Sequence, residues 1–146
     1  MFALSAVLAA MLTPSAPVPA AAPTDTKTEL ARWQGTWEVE LQISDGVEKP
    51  AKERNIAKVV IKDDVWEVHF RDAADPVKGK MKLVLDGKVK GMDVVVGDAV
   101  FRSIYLMDGD RALLRVGDAN DERPKDFSTS AGTKTGAIML YTRVKK

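Results

Sequence analysis

Cysteine is absent from the 146-residue chain and histidine occurs once. The first absence excludes disulfides, thiolate metal sites, cysteine nucleophiles and a lipid-modified cysteine at a mature amino terminus. The second removes most histidine-based zinc and triad sites. An excess of either charge is also missing, with 22 Lys and Arg against 21 Asp and Glu. Nucleic-acid binding is therefore not expected, since it leaves a basic surplus. No apolar run is long enough for a stable transmembrane anchor. These exclusions leave a small non-redox domain with no expected cofactor or resident metal, and an enzyme is not expected.

Charge is unevenly distributed: no charged side chain precedes Asp25, and the stretch from Phe2 to Leu12 is almost wholly apolar. Pro14, Pro17 and Pro19 interrupt any helical continuation, and small residues then offer cleavage sites after Ala20 or Ala22. Residues 1–22 read as a signal peptide and 23–146 as a single domain, exported to the periplasm or the extracellular space. A core alone suffices to hold a domain of this size without disulfides.

The pattern of the domain is β. Thr26-Lys27-Thr28-Glu29 has capping-box spacing and predicts a short helix, with Leu30 and Trp33 on one face and Gly35 as its left-handed stop. From Trp37 the period becomes two: Trp37, Val39, Leu41 and Ile43 are expected inside, alternating with Glu38, Glu40 and Gln42. Inward sets recur at Val59 and Ile61; Trp66, Val68 and Phe70; Met81, Leu83 and Leu85; Met92, Val94 and Val96; and Ala112, Leu114 and Val116. The segments Val100–Met107 and Ala137–Val144 are apolar on both faces, which leaves their inward sets open. Asp63-Asp64, Asp86-Gly87 and Asp108-Gly109-Asp110 are turn-sized and fall at one end of an up-and-down order. The longer connections 44–55, 72–78 and 118–135 gather at the other. Eight antiparallel strands closing on themselves leave no exposed edge, so an all-β, up-and-down barrel is the expected architecture. In that barrel the first and last strands meet, and Arg143 is expected to stack on Trp37 at the tied end beneath a Trp33 plug.

These residues carry a resemblance. Gly35-Thr36-Trp37 after a short helix, with an arginine near the end of the last strand, resembles the G-x-W signature of lipocalins and related fatty-acid-binding barrels. Trp33-Gln34-Gly35-Thr36-Trp37, then Ile104-Tyr105-Leu106-Met107-Asp108-Gly109-Asp110, then Arg123-Pro124-Lys125-Asp126-Phe127 and finally Arg143 follow one another in the order of a larger pattern. That pattern is similar to an uncharacterised exported domain family expanded in planctomycete bacteria, which runs L-Q-G-T-W, G-I-Y-E-L-D-G-D, R-P-x-x-F and a final basic strand. Trp33 stands where that family has Leu, and Ser103 where it has Gly. The resemblance implies a lipocalin-like barrel of the calycin type, with Trp33, Gly35, Trp37, Tyr105, Arg123, Pro124 and Arg143 as structural signature residues. It implies no particular activity.

Chemistry is sparse. His69 alternates with Glu67 and Arg71, so it is expected to face solvent rather than hold a haem. Asp108 and Asp110 are read as turn formers, and Asp118, Asp121 and Glu122 lack calcium-loop spacing. Lys78, Lys80, Lys82, Lys88 and Lys90 form a basic stretch that either attracts anions or blocks strand pairing. Inside, Trp37, Trp66, Phe70, Met81, Leu83, Met92 and Leu114 either line a cavity or fill the barrel, because eight strands enclose little more than their own side chains. The leading expectation is a monomeric binding domain that takes a small apolar or amphipathic ligand at the loop-rich mouth. Ile43, Phe70, Val96 and Val116 are its expected contacts, and Phe127 tucks in from the longest loop as a cap. The alternative is a filled-core interaction module that contacts another exported or envelope protein. Mature protein is expected to start near Ala21 or Pro23. Amino-terminal sequencing of exported material checks this, and a cytoplasmic product retaining Met1 overturns it.

Overall fold

The computed structural model describes residues 25–50, 53–128 and 136–145, so the expected leader and its cleavage sites lie outside the described residues. Helix α1 (Thr26–Trp33) is followed by strands β1 (Gly35–Ser44), β2 (Val47–Glu48), β3 (Ile56–Lys62), β4 (Val65–Phe70) and β5 (Val77–Val84). After these come β6 (Gly91–Val96), β7 (Ala99–Asp108), β8 (Arg111–Val116) and β9 (Ala137–Arg143). The strands pair antiparallel in the order β2-β1-β3-β4-β5-β6-β7-β8-β9, and β9 returns to β1. Eight of them thus close a barrel in simple up-and-down order, as the period-two pattern predicts. The ninth, β2, is a short addition that turns back from the end of β1 at Asp45 and Gly46, both at positive φ, inside a stretch expected to be loop.

Period two breaks in β1. Trp37 faces Arg143 and Val39 faces Tyr141, but Leu41 then faces Leu140, because a bulge falls between Val39 and Leu41. The extra residue inverts the alternation. Trp37 and Val39 therefore pack inside, whereas Leu41 and Ile43 turn outward onto a second cluster with Leu113, Ile138 and Leu140. This corrects the unbroken inward series expected from Trp37 to Ile43. Beyond Trp37–Val59, β1 and β3 no longer pair, and the guanidinium of Arg54 occupies the gap. It donates to the carbonyls of Val39 and Glu40 at 3.2 and 3.1 Å and to that of Lys49 at 2.9 Å. Backbone acceptors that the bulge strips of a strand partner are thereby satisfied.

The tied end is built around α1. The helix is capped by Asp25, whose carboxylate accepts from the Thr28 amide at 2.7 Å, rather than by Thr26 in a capping box. That frees Glu29 to point into the protein, where it is fully buried. Its carboxylate accepts from Lys90 Nζ at 3.0 Å, the Tyr105 hydroxyl at 2.9 Å and Arg32 Nη1 at 3.2 Å. The side-chain amide of Gln34 then clasps the backbone of Asp63, donating to its carbonyl at 2.9 Å and accepting from its N–H at 2.7 Å. Gly35 opens β1 at φ +122° instead of ending the helix. The connection between β5 and β6 is longer than the expected Asp86-Gly87 turn and spans residues 85–90, which is how Lys90 reaches Glu29.

These ties seat Trp33, with no exposed surface, among Trp37, Trp66 and Tyr105 at ring separations of 5.5, 5.9 and 5.0 Å. The Trp37 indole donates to the Trp33 carbonyl at 2.9 Å. The Arg143 guanidinium lies 4.5 Å from the Trp37 ring, the expected stacking, and binds Asp110 at 3.0 Å and the Arg32 carbonyl. A cation over an indole contributes roughly 0.5 to 2 kcal/mol.

Burial alone raises the Glu29 carboxyl pKa, but the hydrogen bonds from Lys90 and Tyr105 and the charges of Arg32 and Lys90 outweigh it and hold the group below its ordinary 4.5. A depressed carboxylate contributes stability that is complete above the unfolded value and is lost as pH falls through the lower folded value. Glu29→Ala is expected to cost about 3 kcal/mol at neutral pH, the scale for stranding one partner of a buried ion pair. The variant should also lose less stability than wild type when the pH falls below 4.5. Urea unfolding midpoints at neutral and acid pH check both.

Candidate functional site

Aromatic packing fills the barrel at the tied end, but the wall residues become smaller toward the mouth. Val68 and Phe70 on β4, Val94 and Val96 on β6, and Val116 on β8 cannot meet across the opening. A cavity of about 480 Å³ remains, within the ~300–1,000 Å³ range of small-molecule pockets. Its floor is Trp66, Met92, Leu114, Met139 and Tyr141, and its rim includes Ser44, Val77, Phe101, Gly117, Asp118 and Ala137. The barrel is thus filled in its lower half and open in its upper half.

Of the expected contact residues, Phe70, Val96 and Val116 lie together on the cavity wall. Ile43 and Phe127 do not: both pack against the outer cluster of Leu41, Leu113, Ile138 and Leu140. The bulge turns Ile43 outward. Phe127 follows the course of the long connection after β8. Gly117 and Asn120 first extend along β7 through the Arg102 and Val100 carbonyls, at 3.0 and 2.8 Å. Arg123 then clamps the segment to β6 and β7, donating to the Ser103 carbonyl at 2.9 Å and to Asp93 at 2.7 Å. Gly91 admits that clamp, since a Cβ there would lie 2.9 Å from Arg123 Nη1. From this outer anchorage Phe127 meets the outside of the barrel, and the Ser128 carbonyl accepts from Arg115 Nε at 3.0 Å. The part of the connection from 129 to 135, and residues 51 and 52 in the segment opposite, lie outside the described residues, so the expected entrance between those segments is described only at its edges.

Among the described residues, three hydroxyl side chains reach the lining. Ser103 donates to the Met92 carbonyl at 3.1 Å, and Ser44 accepts from Gln42 at 3.2 Å. Tyr141 makes no hydrogen bond among the described residues, although only 4% of its surface is exposed. Burial pushes its phenol well above the ordinary tyrosine value, so it stays protonated. Asp118, at the rim, accepts from the Gly136 amide at 3.1 Å, and among the described residues it is the only carboxylate on the lining, which includes no described Lys, Arg or His. Sequence reasoning missed Tyr141 because β9 is apolar on both faces. Only the pairing of Tyr141 with Val39 and Ala112, both inside, fixes its direction.

Other candidate groups are bound elsewhere. His69 sits on the outer face of β4 with Nε2 2.6 Å from Glu67 Oε1. Lys80 pairs with Asp64 and Lys78 with Glu67 outside the wall, whereas Lys90 leaves the basic stretch for the buried Glu29. Asp110 is held by Arg143, and among the described residues no group of three His, Asp or Glu side chains is placed to hold a metal. No described helix is long and apolar enough to cross a membrane.

No family model, curated protein or solved structure matches the chain. The barrel is compatible with a lipocalin-like fold on its own geometry: eight closed antiparallel strands, a helix across the tied end, and an arginine of the last strand stacked on a tryptophan of the first. His69→Ala is expected to change stability by less than about 0.5 kcal/mol, as a surface substitution does. Thermal unfolding checks this, and a loss of several kcal/mol overturns the outward placement.

Proposed function

We propose that this domain is an exported lipocalin-like carrier or sensor that binds one small apolar or amphipathic molecule in the upper half of its barrel and performs no chemistry on it. The observation that carries this reading is the cavity itself. It is lined mainly by valine, phenylalanine, methionine, leucine and tryptophan side chains and opens at the mouth, and a molecule placed there exchanges water for apolar wall. Export is read from the uncharged apolar stretch before Asp25, and kinship with the planctomycete family from the motifs around Trp37, Tyr105 and Arg123. The alternative, an interaction module with a filled core, fits the lower half of the barrel but not the upper.

Nile red, a neutral apolar dye, tests the reading. It should saturate the wild-type protein at one site, and Phe70→Asp should weaken it at least about tenfold by setting a carboxylate into the apolar wall. The Trp33–Trp37 end, which lies away from Phe70, should remain folded by near-ultraviolet circular dichroism. Absence of saturable binding to the wild-type protein overturns the proposal. Organic extraction of purified protein followed by mass spectrometry would identify any molecule carried through purification.

A further inference from the structure

Among the described residues the cavity lining carries no cation and one hydroxyl without a hydrogen-bond partner, that of Tyr141, an arrangement that discriminates among amphipathic molecules by charge. Tyr141 lies on β9 four residues below the rim residue Ala137, a strand length of about 13 Å at 3.3 Å per residue. Its ring meets that of Trp66 edge-on at 6.1 Å, which packs it from the side. Of the other two hydroxyls on the described lining, Ser103 donates to the Met92 carbonyl, and Ser44 sits at the rim and accepts from Gln42. The phenol O–H donates to no described residue and Tyr141 lines the cavity, so a ligand oxygen there can accept from it.

The charged groups nearest the floor do not serve a carboxylate. Arg143 follows Tyr141 by two residues on the same face of β9, but its guanidinium is stacked on Trp37, bound to Asp110 and to the Arg32 carbonyl, and absent from the lining. Arg115, near the mouth, is turned outward and held by the Ser128 and Val116 carbonyls. Among the described residues, the charge that does reach the rim is the carboxylate of Asp118. A buried anion without a counter-charge is strongly disfavoured, and one that enters past a like charge more so.

Resting on the cavity-binding reading above, we propose that the site selects a neutral amphipathic molecule, an apolar body ending in a single hydroxyl or carbonyl oxygen that accepts from Tyr141, and rejects the matching carboxylate. The oxygen end lies at the floor and the apolar body runs toward Phe70 and Val96.

Displacement of Nile red at neutral pH by decanol, decanoate and butylbenzene tests this on the full chain. Decanol should displace the dye at a concentration at least roughly tenfold below that needed for decanoate, reflecting the uncompensated anion. Tyr141→Phe should weaken decanol about fivefold, the scale of one neutral hydrogen bond, and leave butylbenzene unchanged. Decanoate displacing the dye as well as decanol does overturns the charge selection. Equal decanol affinity in wild-type protein and Tyr141→Phe, or a matching loss for butylbenzene, overturns the assigned hydrogen bond. The comparison among ligands on the wild-type protein does not depend on the variant folding. If Nile red itself fails to bind saturably, the cavity-binding reading falls with the selectivity that rests on it.

Discussion

The structure depends on one buried carboxylate. Glu29 has no exposed surface, yet it joins a helix to two places far away in sequence, Lys90 in the connection just before β6 and Tyr105 in β7. Those contacts set the position of α1 across the tied end, and the position of α1 seats Trp33. Trp33 in turn occupies the space that Trp37, Trp66 and Tyr105 would otherwise leave open. A salt bridge is costly to bury, and this one is kept company by a phenol and a second cation, so the remaining lone pairs of the carboxylate are occupied. The plug is thus positioned by polar contacts and held by apolar ones.

From the plug upward the interior changes character. Indole and phenol rings fill the lower barrel, and the shorter side chains above them leave a void. Both halves arise from the same up-and-down meander, and the difference is one of side-chain volume rather than topology. The two arginines of the long-loop side complete the arrangement from outside: Arg123 and Arg115 hold the connection after β8 against the wall, which keeps Phe127 out of the mouth.

Much of this was legible in the sequence, and the parts that were not have physical reasons. Strict alternation in Trp66-Glu67-Val68-His69-Phe70 placed Phe70 inside and His69 outside, because nothing in β4 opposes the pleat. The same alternation misplaced Ile43. Glu38-Val39-Glu40-Leu41-Gln42-Ile43 carries no local mark of a bulge, and the inversion is favoured by apolar partners on β8 and β9. A signal did exist. Strands β7 and β9 are apolar on both faces, which implies that the outside of that wall is also covered and wants apolar neighbours. Glu29 was unreadable for a similar reason, since Lys90 and Tyr105 are brought to it only by closure of the barrel. Arg54 was unreadable because the carbonyls it serves are orphaned only by the bulge.

The two-sided wall makes the molecule unequal in its tolerance of change. On β8, β9 and the upper part of β1, both faces of the sheet are packed, inward onto the main core and outward onto Leu41, Leu113, Ile138 and Leu140. On β3, β4 and β5 the outer face carries Lys58, Lys62, Lys78, Lys80 and Lys82 in solvent. A random substitution therefore meets a packing constraint at nearly every position of one wall and at every second position of the other. Outward-facing changes are thus absorbed by the lysine-bearing wall, whereas the wall of β8, β9 and β1 admits only side chains that fit the packing on both of its faces.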